Sequence, residues 1–265
     1  MKVAAIQMVS GTSLEQNMQT AERLLREAAA DGASFLLLPE YWPLMGQQDT
    51  DKLAIAESAG EGEMQDFMSG MARELGVWLV GGTIPLASPE AGKVLNTSLV
   101  YQPDGQRVAR YDKIHLFGFT KGDESYQESR TISAGDRIET FDAGFGKVGM
   151  AICYDLRFPE LFRQMGECSL LLVPAAFTYT TGQAHWEILL RARAIENQCY
   201  VLASGQGGKH QNGRRTWGQS MLIDPWGQIV SQLNEGEGVV AGDLNMNLLK
   251  EIRSNLPALQ HRRFN

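Results

Sequence analysis

The chain has 265 residues, enough to bury a sizeable core as one large domain over residues 1–265. A net charge of −7, with cations scattered except in the short Gln260–Arg263 segment, disfavours a partner with a phosphate backbone. No apolar stretch approaches the roughly 20 residues of a membrane helix, and Met1–Gln7 reads as a strand, not a signal peptide. Cys153, Cys168 and Cys199 are odd in number and widely spaced, which argues against a disulfide framework and fits a reducing cytoplasm.

In chain order, Val3–Met8 is the first predicted strand, and Ser13 with Gln16 opens a helix reaching about Ala30. Phe35–Leu38 is a buried strand. Gly62–Leu75 has helical spacing, closed by Gly76. Val77–Thr83 and Leu95–Tyr101 read as strands, and Pro103-Asp104-Gly105 turns the chain into a returning strand, Gln106–Tyr111. Residues 118–136 are polar and glycine-rich and read as a long loop, a feature compact domains usually keep for function. Then follow a strand over 147–152, a helix over 157–165, a strand over 169–173, a helix over 184–197 and a strand over 199–204. A second hairpin turns at Asp224-Pro225-Trp226-Gly227, before a strand at Val239–Asp243 and a short helix. Alternating elements give an α/β class, and the two hairpins make the sheets mixed. The paired hairpins hint at two similar layers.

The chemistry gathers where buried strands end. Cys153 follows the apolar run Val148–Ile152 and precedes a helix-like segment, so its thiol sits on a strand-to-helix corner near backbone N–H groups. A free cysteine taken alone is more often a small core residue, and Cys168 and Cys199, within or at the start of apolar strands, are read that way. Glu40 emerges from Phe35–Pro39 into an apolar collar of Tyr41, Trp42 and Pro43, which suits a general base. Lys113 follows a third strand. A nucleophile, a base and a cation at three strand ends suggest an amide-cleaving enzyme. His115 reads as a hydrogen-bonded structural residue. No HExxH, CxxC or other metal spacing occurs, so no metal is expected. The absent GxSxG motif disfavours a serine hydrolase, and the absent glycine fingerprint disfavours a flavin or nucleotide binder; no cofactor is expected.

Leu38-Pro39-Glu40, Asp112-Lys113-Ile114-His115-Leu116 and Ile152–Glu160 together resemble the nitrilase superfamily of carbon–nitrogen hydrolases. Ala4–Gln7, Asn96-Thr97-Ser98 and Asp224–Gly227 match in order, so the resemblance spans the chain. It implies a four-layer α-β-β-α sandwich and a homodimer or higher homo-oligomer. It assigns Glu40, Lys113 and Cys153 as a catalytic triad, with Glu128 as a fourth residue. In that scheme Glu40 takes the thiol proton and Lys113 favours the anion, so that a thiolate is available near neutral pH. Lys113 and the Tyr154 N–H hold the oxyanion, ammonia leaves, and a Cys153 thioester is hydrolysed by water activated by Glu40 or Glu128. Glu128 could instead orient Lys113 or the substrate.

Within the superfamily, Glu128-Ser129, Ala176-Phe177, Thr181-Gly182, His185-Trp186-Glu187 and Arg191–Glu196 most resemble amidases acting on deaminated glutathione, with omega-amidases next. Such substrates carry a carboxylate, and Arg157 is the clamp this implies; its alternative is an ion pair with Glu160 or Asp155. Phe177 and Thr181 match substrate-lining positions, although Thr181 could equally cap a helix. Glu187 and Arg191 form an i,i+4 pair with a structural or interface role. The loop Gly118–Ser125 departs from both branches. A nitrilase or carbamoylase is the alternative within the family. A catalytically idle binding protein is the alternative outside it, one that needs none of Glu40, Lys113 and Cys153.

Overall fold

A computed structural model describes residues 1–122 and 124–264. Strands β1 (Lys2–Gln7), β2 (Phe35–Leu37), β3 (Trp78–Val80), β4 (Ile84–Ala87), β5 (Val94–Tyr101) and β6 (Arg107–Asp112) come with helices α1 (Leu14–Ala30) and α2 (Glu63–Leu75). A hairpin, β7 (Gly118–Lys121) and β8 (Glu124–Gln127), precedes β9 (Ile132–Ser133), β10 (Thr140–Asp142) and β11 (Lys147–Met150). The remainder is α3 (Pro159–Gln164), β12 (Leu170–Ala175), α4 (Tyr179–Asn197), β13 (Tyr200–Gly205), β14 (Met221–Ile223), β15 (Ile229–Gln232), β16 (Gly238–Asp243) and α5 (Met246–Asn255).

Two sheets form. The first runs β16-β1-β2-β3-β5-β4, with β6 and β9 also paired to β5; the second runs β10-β11-β12-β13-β14-β15. β1, β2 and β3 are mutually parallel, as are β11, β12 and β13, while the outer pairs are antiparallel. Strand periodicity explains how the sheets stack. Val3, Ala5, Phe35 and Leu37 point between the sheets against Val148, Leu172, Leu202 and their neighbours. Ala4, Ile6, Leu36 and Leu38 point the other way, onto Leu24 and Leu25 of α1 and Met68 and Met71 of α2. Trp186 and Leu190 of α4 and Phe162 of α3 cover the outer face of the second sheet. The layers are therefore α-β-β-α. No helix among the described residues is long and apolar enough to cross a membrane.

Four expectations change. Residues 118–136 are not one loop: β7 and β8 pair, and Phe117 gathers Phe119, Tyr126 and Tyr154 at ring-centroid distances of 6.0, 5.7 and 5.2 Å. That aromatic cluster supplies the burial the polar composition conceals; Asp123 lies outside the described residues. The helix expected over 157–165 is split into a 3₁₀ turn, Cys153–Arg157, and α3. Pro159 has no N–H to continue the turn, and it holds Phe158 at φ −111°, ψ 88°, outside the helical region. The strand expected over 77–83 stops at Val80, where Gly81-Gly82 turns the chain. Helix α4 begins five residues earlier than 184, capped by Thr178, whose hydroxyl accepts from the Thr181 N–H.

Candidate active site

The C-terminal ends of parallel strands point to one end of the sandwich, where α/β sheets commonly bind ligands. Glu40 follows β2, Cys153 follows β11, Ala176 follows β12 and Gln206 follows β13. Lys113 follows β6, and its N–H donates to the Asn96 carbonyl of β5 at 3.0 Å.

Glu40 is 1% exposed. Its Oε1 accepts from Lys113 Nζ and Asn96 Nδ2, each at 2.9 Å, and its Oε2 accepts from the Ala176 N–H at 2.8 Å. The backbone around it is held as firmly. The Tyr41 N–H donates to Thr83 Oγ1 at 2.9 Å, and Gln206 Nε2 donates to the Glu40 carbonyl at 3.1 Å. Gly82 passes close behind with φ +51°, and a Cβ there would come within 2.1 Å of the Pro39 carbonyl oxygen.

Lys113 is fully buried and donates to two carboxylates: to Glu40, and to Glu128 Oε1 at 3.0 Å and Oε2 at 2.9 Å. Burial alone disfavours its ammonium, but Glu128 and Glu40 outweigh that and hold it well above its ordinary pKa. Glu128 also accepts from the Tyr41 hydroxyl at 2.8 Å and the Phe117 N–H at 2.7 Å. Burial raises its carboxyl, yet Lys113, Phe117 and Tyr41 together bring it below the ordinary carboxylate value.

Cys153 opens the 3₁₀ turn at φ +48°, a strained backbone that non-glycine residues adopt rarely and that recurs at functional sites. Its thiol lies beside Glu40 on the same cavity wall. Burial first, then the Glu40 charge, push the thiol pKa well above its ordinary range; Lys113 opposes this and Glu128 adds to it. Burial first and the Glu40 charge second thus disfavour the free thiolate, and the thiol lies beside the carboxylate that can take its proton.

Asp155, two residues on, is completely buried and organises the corner. Its Oδ2 accepts from the Ile152 N–H and the Tyr111 hydroxyl, both at 2.8 Å. Its Oδ1 accepts from the His115 N–H at 3.0 Å and pairs with His115 Nδ1 at 2.7 Å. It thus ties the nucleophile's strand to the residues flanking Lys113. From behind, Arg193 of α4 donates to the Leu156 carbonyl at 3.1 and 2.8 Å.

Glu40, Glu128, Cys153, Tyr154, Phe177 and Thr181 line one cavity of about 740 Å³, counting the space at its mouth. Lys113 lies directly behind them. Arg157 does not line it: its guanidinium sits 5.3 Å from the Phe177 ring centroid and 5.8 Å from that of Tyr154, with His185 Nδ1 at 3.2 Å. No ion pair joins it to Glu160 or Asp155. The cations on the cavity wall are instead Lys52, Arg214 and Arg215. Neither these nor Asp155 stand out from the sequence, because their partners lie tens to hundreds of residues away. Among the described residues no group of three or more His, Cys, Asp or Glu could hold a metal ion.

A thiol, a carboxylate positioned to take its proton, and a buried ammonium beside both can support nucleophilic attack on a carbonyl-type carbon. Comparisons with known proteins agree with that chemistry. The carbon-nitrogen hydrolase family model matches residues 2–254. A deaminated glutathione amidase from Synechocystis is 42% identical over 267 residues, covering 98% of this chain and 97% of that protein. The mouse omega-amidase NIT2 is 39% identical over 266 residues, covering 99% and 95%. The crystal structure of Nit3 from Saccharomyces cerevisiae, described as a member of branch 10 of the nitrilase superfamily, superposes with a TM-score of 0.89 at 32% identity, covering 100% of this chain and 97% of that one. The chain belongs to the carbon-nitrogen hydrolase family of the nitrilase superfamily, and it is an amide-hydrolysing enzyme.

Proposed function

We propose that the enzyme cleaves the ω-amide of a small α-keto dicarboxylic acid, with deaminated glutathione as its substrate and α-ketoglutaramate as the second candidate. The observation that carries the chemistry is one buried ammonium shared by two buried carboxylates beside the Cys153 thiol. The full-length similarity to proteins named for these two activities carries the substrate.

In this scheme Cys153 Sγ attacks the amide carbon as its proton passes to Glu40. Charge develops on the carbonyl oxygen, which Lys113 Nζ and the Tyr154 N–H stabilise; removing one such donor typically costs about 10²–10³ in rate. Glu40 then returns the proton to the leaving nitrogen. The amine leaves as ammonia from a primary amide, or as cysteinyl-glycine from deaminated glutathione. Water activated by Glu40 cleaves the Cys153 thioester. Glu128 already accepts from Lys113, Tyr41 and Phe117, which favours an orienting role for it over that of a second base. Phe177 and Thr181 line the acyl pocket.

The test compares wild type with Cys153→Ala on deaminated glutathione, α-ketoglutaramate, an aliphatic amide, a nitrile and an N-carbamoyl amino acid. α-Ketoglutarate is measured for the first two and ammonia for the rest. Turnover of deaminated glutathione that vanishes in the variant supports the assignment. Preference for α-ketoglutaramate moves it to an omega-amidase, and preference for the nitrile or carbamoyl compound to those branches. Silence on all five, with ligand binding unchanged in Cys153→Ala, would favour an idle binding protein.

The same proposal places the chain as a single domain, homodimeric and cytoplasmic. Ile188 and Ile195 on α4 and Trp226 in the β14–β15 turn are all exposed, and Ile195 packs against the Gly227 position beside Trp226. Such a patch suits a second copy of the chain; light scattering that finds only monomer would remove it. Three free cysteines suit a reducing compartment, which cell fractionation tests.

A further inference from the structure

The cavity wall carries more positive charge than the triad uses. Lys52, Arg214 and Arg215 line it together with Asp49, on segments away from the strand ends that carry the triad. Arg215 is engaged: it bonds Glu235 at 3.2 and 3.0 Å, and its guanidinium lies 3.7 Å from the Tyr179 ring centroid. Arg214 is not. Its guanidinium lies 5.1 Å from the Tyr126 ring centroid, and its ion pair with Asp49 is long, at 3.5 Å. Lys52 donates to Thr131 Oγ1 at 3.3 Å and lies 5.5 Å from the Tyr41 ring centroid. Burial disfavours its ammonium, partly offset by Asp49 and Glu128. Two cations thus share one carboxylate.

Space is arranged around that imbalance. A side pocket of about 300 Å³ is lined by Tyr41, Met45, Asp49, Lys52 and Arg214, and all five also line the catalytic cavity. Both cations therefore border a recess opening beside the floor that holds Cys153 and Glu128.

We infer that Lys52 and Arg214 form the carboxylate subsite that sets specificity, receiving the acyl-side carboxylate of an ω-amide substrate in place of Arg157. The inference rests on the amidase reading above. A guanidinium is planar and offers parallel N–H groups to a carboxylate, and the ammonium adds a third donor. The acyl half is the part common to deaminated glutathione and α-ketoglutaramate, so a subsite for it serves both. Asp49 competes for the same cations and weakens the subsite.

The test uses the full chain and the variants Lys52→Met, Arg214→Gln, Arg214→Lys and Asp49→Asn, each first shown to melt like wild type. The ratio of kcat/KM for α-ketoglutaramate over pentanamide, which lacks the carboxylate, is measured beside the calorimetric affinity for α-ketoglutarate. Lys52→Met and Arg214→Gln each lower the ratio and the affinity about tenfold, the scale of one partly exposed charge-assisted hydrogen bond. The loss falls on KM, and Arg214→Lys recovers part of it. Asp49→Asn moves both quantities the opposite way, which a merely structural role would not do. Unchanged ratios and affinities in both cation variants overturn the inference. If no amide is turned over, the amidase reading fails separately and the affinities still decide: tenfold weakening supports the subsite, and a wild type that does not bind α-ketoglutarate refutes it.

Discussion

Asp155→Asn is the most informative single-atom change available. The Asp155 carboxylate meets four donors, two on each oxygen: Ile152 N–H and Tyr111 O–H on Oδ2, His115 N–H and Nδ1 on Oδ1. Asparagine replaces one oxygen with an NH₂ group, which donates. Tyr111 can rotate its hydroxyl to accept, and His115 can present Nδ1 as an acceptor, but neither backbone N–H can reverse. Either orientation of the new amide therefore strands one buried backbone donor, at about 1–3 kcal/mol, and the surviving bonds lose their charge assistance. A total near 3 kcal/mol lowers Tm by roughly 6–12 °C at about 2–4 °C per kcal/mol for chains of this size. Turnover falls further than stability implies, because the same oxygens fix the strand before Cys153 and the flanks of Lys113, and a misplacement of about 1 Å costs on the order of 10² in rate. Calorimetry and steady-state kinetics on the folded variant read both effects. Tyr111→Phe, which removes one donor and strands none, costs about 1 kcal/mol. An Asp155→Asn protein with wild-type Tm and turnover would refute the argument.

Three further outcomes follow from the site. With no substrate present, Cys153 reacts slowly with iodoacetamide at neutral pH and faster as pH rises beyond the ordinary thiol range, because burial and Glu40 disfavour its thiolate; a rate profile with a midpoint below pH 7 contradicts this. Glu128 has its folded pKa below the unfolded value of 4.5, so its ionised form stabilises the fold above that pH and loses this effect as pH falls through the folded value. Glu128→Gln accordingly melts lower than wild type at pH 7, and the gap closes in acid; a gap independent of pH argues against it. Gly82→Ala places a Cβ against the Pro39 carbonyl at positive φ and lowers both Tm and turnover by displacing Glu40; unchanged kinetics would show that the Glu40 corner tolerates the shift.

Much of this enzyme is local and can be read along the chain. Continuous apolar runs mark β1, β2 and β11, because a strand between a helix layer and a second sheet is buried on both faces. Ser13 starts a helix through its own hydroxyl and Gly76 closes one in the left-handed region, and the residues at strand ends, Glu40, Lys113 and Cys153, are visible because an apolar run stops there. Contacts made across the fold are not visible in this way. The β7–β8 hairpin hides behind polar composition because its aromatic support comes from Phe117 and Tyr154. Asp155 looks like any acidic residue until Tyr111 and His115 arrive from another sheet. Arg157, next to the nucleophile in sequence, is turned onto Phe177 and His185, whereas Lys52 and Arg214, distant in sequence, reach the cavity wall. Adjacency along a chain sets which residue follows a strand, but only the packing of two sheets decides which charges share a low-dielectric space, and that sharing sets the state of the thiol and the sign of the cavity.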